Sequence, residues 1–162
     1  MPMTRRLALF AAALWLAASG AHSRTYRLGA LRIGYPWMLP TPPGAAAAAG
    51  YLTVTNTGDR PDRLLGASSS GAARVELHQT TMTGGVMRMR PVSGGLAIAP
   101  GQTIAIEPAG YHLMLVGPKH LFSLGQSIPA TLHFERAGSV GIAFTVQAAP
   151  PRDHPARLAT VR

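Results

Sequence analysis

Hydrophobic positions in this chain recur mostly at every second residue, the repeat of a strand with one covered face. In GYLTVTNTG (50–58), Leu52 and Val54 alternate with Thr53 and Thr55, and Asn56-Thr57-Gly58-Asp59 supplies the turn. LRIGY (31–35) reads as a first strand and DRLLGASS (62–69) as a short one. ARVELHQ (73–79) alternates so that Val75 and Leu77 are predicted to face the core and Glu76 and His78 the outer face. The stretch 94–117 holds three strand pieces, cut at Pro100-Gly101 and at Pro108-Ala109-Gly110. SIPATLHFER (127–136) and SVGIAFTVQ (139–147) form two more strands around a turn at Ala137-Gly138.

Between these segments the pattern breaks. PWMLPTPPG (36–44) is expected to be a loop, because its prolines suit no regular element. The alanines at 45–49, bracketed by Gly44 and Gly50, are too few to stand as a helix and read as an extended approach to the next strand. TTMTGG (80–85) is expected to be a turn. Residues 150–162 have lost periodicity and form a tail.

Two segments place unusual side chains. In VMRMR (86–90), Arg88 and Arg90 share one side and Met87 and Met89 the other, so solvated arginines send both methionines inward. In GYHLMLVG (110–117), Leu113 and Leu115 share one face, so if they are core His112 and Met114 both point out. An exposed histidine beside an exposed methionine in an apolar strand calls for an explanation, and a metal supplies one.

The chain start changes the compartment. Arg5 and Arg6 precede the short apolar run LALFAAALWLAA (7–18), and Ala21-His22-Ser23 gives a cleavage site, with Ala17-Ala18-Ser19 as competitor. Residues 1–23 therefore read as a secretory signal peptide, with an uncleaved anchor as the alternative, residues 24–149 as one β-domain and 150–162 as a flexible tail. With no cysteine in 162 residues, lipoprotein anchoring, a disulfide framework, cysteine-ligated zinc, a thiol nucleophile and a blue-copper centre are all excluded. Glycine and proline number 18 and 14 and charged residues only 13%, which favours an all-β domain rich in turns. The net charge of +9 is spread along the chain, and aromatics at 6% do not support a nucleic-acid groove, so the charge serves solubility or attraction to an anionic surface.

The remaining chemistry is soft and neutral. Imidazole nitrogen with thioether sulfur suits Cu(I). His78 is followed eleven positions later by Met89, His112 comes twenty-three after that, and Met114 two further on. His112 and Met114 share a strand face, while His78 and Met89 would have to arrive from neighbouring strands. Met38, Met82 and Met87 default to core filler, although Met82 and Met87 are near enough to substitute as ligands. His120, His133 and His154 default to surface or hydrogen-bonded roles, and Glu76 is a candidate to orient a metal-binding histidine.

This pattern resembles the PCu(A)C family of periplasmic copper chaperones, whose signature is a His, a Met about ten residues on, and a His-x-Met about twenty residues later. The surrounding text is also similar: VELH at 75–78, GGVMRMRPV at 84–92, GGLAIAPGQT at 94–103, GYHLMLVG at 110–117 and GYLTVTNTGDRPDRLLGASS at 50–69. The resemblance implies a cupredoxin-like Greek-key β-sandwich or barrel. It implies one Cu(I) per chain held by His78, Met89, His112 and Met114, and delivery in the periplasm to the copper subunit of cytochrome c oxidase or to its assembly chaperones. The His- and Met-rich extension of many members is missing, since the tail has only His154. The alternatives are a copper-buffering protein with the same site and a β-sandwich interaction module without metal. Few acidic residues and no nucleophile–base pairing speak against an enzyme.

Overall fold

The computed structural model describes residues 24–151; the predicted signal peptide, His154 and the tail beyond residue 151 lie outside them. Among the described residues there is no helix. Eleven strands follow in order: β1 (Thr25–Leu28), β2 (Leu31–Met38), β3 (Ala47–Asn56), β4 (Asp62–Ser68), β5 (Ala72–Thr83), β6 (Val86–Pro91), β7 (Leu96–Ile98), β8 (Thr103–Ile106), β9 (Tyr111–Pro118), β10 (Ser127–Phe134) and β11 (Gly138–Val146).

They form one mixed sheet in the order β6-β5-β9-β8-β3-β2-β11-β10-β4-β7, with β1 paired to β2 and β3 also paired to β9. The β11–β2 and β8–β9 pairings are parallel and the others antiparallel. The sheet curls on itself. β4 and β5 lie far apart in the hydrogen-bonded order yet pack together, and a single core draws on β2, β3, β4, β5, β7, β8, β9, β10 and β11. This is the all-β architecture expected from the short alternating strands, in the cupredoxin-like form that the family resemblance implies.

The alternation decides who is inside. Leu52, Val54, Leu113, Leu115, Leu132 and Phe144 are wholly buried. Each such side chain adds roughly 1.5–3 kcal/mol on leaving water. Asn56 ends β3 as the turn signature predicts: its amide donates to the Arg60 and Ile98 carbonyls at 2.7 and 3.1 Å, and its Oδ1 accepts from the Gly58 N–H at 3.0 Å.

Three expectations change. A strand, β1, precedes LRIGY. The run Pro36-Trp37-Met38 is not loop but the end of β2, because a register shift between Gly34 and Trp37, with Tyr35 at φ 57°, bulges the strand past its proline. Residues Thr80–Thr83 are strand rather than turn. The turn is only Gly84-Gly85, whose φ values of 58° and 77° suit a two-residue hairpin loop that side chains other than glycine adopt poorly.

Candidate metal centre

The centre lies on β6, β5 and β9. Antiparallel registry places His78 directly opposite His112 on β9 and Pro91 on β6. On either side along β5, Glu76 faces Met114, Thr80 faces Met89, and Met82 faces Met87. Residues opposite one another in a ladder share a face, and so do residues two apart. His78, His112, Met114 and Met89 therefore all project from one face of a three-stranded ribbon. Directly paired Cβ atoms lie about 5 Å apart and diagonal ones about 7–8 Å, so Met89 and Met114 are each within a methionine's reach of His78, while they stand two strands apart from one another.

The two imidazoles are held in complementary ways. The His78 and His112 rings meet edge to face at 5.7 Å. His78 Nε2 donates to Glu76 Oε2 at 2.9 Å, and Arg74 Nε donates to Glu76 Oε1 at 2.6 Å. His112 Nδ1 donates to the Gly110 carbonyl at 3.4 Å. Neither oxygen acceptor can donate back, so each ring carries its proton on the bonded nitrogen. The opposite nitrogens, His78 Nδ1 and His112 Nε2, are buried and have no hydrogen-bond partner. Leaving a buried acceptor unpaired costs about 1–3 kcal/mol. Two such atoms on paired residues leave two lone pairs available to a bound ion.

Electrostatics keeps these lone pairs available. Burial pushes the His112 pKa down; the Gly110 carbonyl opposes that shift, and the charge of a protonated His78 adds to it. Arg74 and then His78 hold the Glu76 carboxyl below its usual range, so it is ionised and accepts from both. Among the described residues, no three His, Asp or Glu side chains gather as a metal site. The same face of the ribbon also carries the thioethers of Met89 and Met114, which favour a soft ion.

Leu113 and Leu115 are core, as alternation predicts, but His112 is buried rather than exposed, at 4%. The opposite face of β9 is itself partly covered. On β3, Ala49 stands opposite Met114, and Tyr51 follows on that face, its ring 4.8 Å from Trp37. Trp37 and Tyr51 are both buried yet stand apart from the main core. The sequence pattern hides this aromatic pair, because Pro36 makes the run around Trp37 read as loop.

The methionines of the β5–β6 hairpin also depart from expectation. Met82, Met87 and Met89 are 65%, 57% and 56% exposed, not inward-facing core. The alternation of VMRMR is real, but the ribbon projects with water on both sides, and every β6 residue is exposed. Met38 is core as expected, with no exposure. His133 bonds Ser68 and Ser139 at 3.0 and 2.9 Å, and His120 is exposed, as read from the sequence.

Comparison with known proteins gives the family and the fold. The family model described as "Putative lipoprotein LpqE-like" matches residues 31–146. A relative from Leifsonia xyli subsp. xyli, "Putative lipoprotein Lxx21020", is 34% identical over 64% of this chain, and the match spans 63% of that relative's length, under two thirds. Among solved structures, the copper-bound PCuAC domain from PmoF2 is similar with a TM-score of 0.67 at 29% identity, over 78% of this chain and 99% of that one. The solution structure of CuI-DR1885 from Deinococcus radiodurans gives 0.58 at 29% identity, over 80% of this chain and 83% of that one.

Proposed function

This chain belongs to the LpqE-like family and has the PCuAC fold, and on that premise we propose that it is a copper chaperone whose cargo is one tightly held Cu(I), bound by His78, Met89, His112 and Met114. The reading rests on one observation above all: two buried imidazole nitrogens without partners, on directly paired residues, with the thioethers of Met89 and Met114 diagonal to His78 on the same face. Two neutral imidazoles and two neutral thioethers bind a monovalent soft ion without releasing protons. Glu76 orients His78 and raises its basicity, the usual job of a carboxylate behind a metal-binding histidine.

Such a site suits transfer rather than catalysis. His112 anchors from a buried position, while Met89 offers its sulfur from an exposed strand, so incoming ligands can reach the ion from the Met89 side. The ion stays Cu(I) throughout, and only ligands exchange. The compartment is the periplasm, reached through the segment 1–23, and the recipient is the copper subunit of cytochrome c oxidase or its assembly chaperones. Loss of oxidase activity on deleting the protein under copper scarcity supports delivery; sensitivity to excess copper alone points instead to buffering.

An anaerobic Cu(I) titration of the protein against a competing chelator tests the site. One high-affinity equivalent is expected. Met114→Leu should weaken it at least about tenfold, or about 1.4 kcal/mol, with folding preserved, and His78→Ala more. Unchanged affinity in both variants would remove these residues from the site.

A further inference from the structure

We propose that Met82, Met87 and Met89 form a second, outer thioether site at the tip of the β5–β6 hairpin, which takes a soft monovalent ion and passes it to or from the buried pair His78/His112. The site itself stands on its own observations; only its role as a relay rests on the copper reading above.

The placement comes from the ladder. Met82 and Met87 are direct cross-strand partners, and Met89, paired with Thr80, is diagonal to Met82 on the same face. Three sulfurs thus stand at neighbouring positions of one surface, on side chains flexible enough to converge. Three neutral thioethers make an adequate coordination shell for Cu(I) or Ag(I) and a poor one for hard cations. The guanidinium-bearing Arg88 and Arg90, which pair with Thr81 and Gln79, project from the opposite side of the ribbon.

Packing does not explain these side chains. Among the described residues eight large hydrophobic side chains are exposed, and four of them, Met82, Val86, Met87 and Met89, belong to this one hairpin. A hairpin needing only solubility would carry polar residues on both faces. The outer site is also displaced from the inner one: Met82 lies four residues along β5 from His78, and Met87 pairs with Met82, so both stand beyond Met89 on the side away from the histidines. Met89 lies between them and can belong to either shell, which makes it the exchange point. Transfer then proceeds by replacing Met82 or Met87 by His78 or His112 around an ion still held by Met89; no electron or proton need move.

The full chain labelled with 13C in its methionine methyl groups, titrated with Ag(I) as a redox-inert probe in chloride-free buffer, tests the site. Expected are early shifts of the Met114 and Met89 methyls, then, at higher Ag(I), shifts of Met82 and Met87; the latter two should persist in His78→Ala/His112→Ala. Stationary Met82 and Met87 methyls at several equivalents of Ag(I) overturn the outer site, whatever Met114 does, and leave the patch as an apolar docking surface. Moving Met82 and Met87 beside a stationary Met114 uphold it while overturning the inner one. The relay is tested by stopped-flow transfer of Cu(I) to a chelator: Met82→Leu/Met87→Leu should leave equilibrium affinity at the inner site unchanged and slow transfer several-fold. An unchanged transfer rate overturns the relay.

Discussion

The β10–β11 hairpin and the β5–β6 hairpin are built from the same kind of sequence and meet opposite fates. Both are antiparallel, both alternate, and both turn at glycines. In β10 every second residue is buried, from Ile128 through Phe134, because the curled sheet lies beneath it. Past Thr80 the other hairpin leaves the body, and its alternate residues, methionine on one face and arginine on the other, all meet water. An apolar stripe therefore identifies a face but not what covers it. Where nothing covers it, the choice of residue has to be explained by chemistry other than packing.

The sharpest way to break this contrast is to shorten one side chain in the covered hairpin. Phe144 is wholly buried, with its ring 3.0 Å from where a Cβ on Gly50 would lie. Phe144→Ala should cost about 3–5 kcal/mol in urea denaturation; a loss below 1 kcal/mol would mean that β11 does not carry the core.

Next in size is an effect at the base of the other ribbon, where it still touches the body. Glu76→Gln keeps an acceptor for His78 but removes the charge, and should weaken Cu(I) binding by about 10–100-fold with little change in apo stability. A change in stability without a change in affinity would make Glu76 a structural residue only.

A gentler test is acidity. Burial holds His112 neutral when folded, whereas the unfolded chain takes up its proton below the ordinary histidine value of about 6.5. The unfolded state then binds more protons, so this part of apo stability is fully present above that pH and drains away as pH falls from there toward the depressed folded value. Denaturant midpoints measured from pH 8 to pH 5 should show it, and His112→Leu should flatten the slope; an unaltered slope would assign the acid loss to other groups.

The smallest expected effect sharpens the comparison most. Met82→Leu and Met87→Leu should each move stability by less than about 0.5 kcal/mol, since neither side chain packs on the body. A larger loss would mean that the tip is part of the folding unit after all.

What could be read beforehand divides along the same line. The strand pieces of 94–117 were legible because Pro100-Gly101 and Pro108-Ala109-Gly110 interrupt an otherwise regular alternation. That His112 and Met114 share a face followed from Leu113 and Leu115 being core. That His112 is nonetheless buried did not, because its cover comes from elements distant in the chain. Pro36 hid the end of β2, since a bulge around Tyr35 is set by tertiary contacts rather than by local propensity. The inward reading of Met87 and Met89 failed for want of one fact, whether any layer lies beneath the ribbon.

The two-residue glycine loop at 84–85 also sets which chemistry the ribbon presents. Pairing across it is in phase by a single residue, so inserting or deleting one position there would rotate Arg88 and Arg90 onto the histidine side and carry the sulfurs to the back. Loop length here acts as a selector between a surface for soft metal ions and one for anions, and a lineage could cross from one to the other by a single codon.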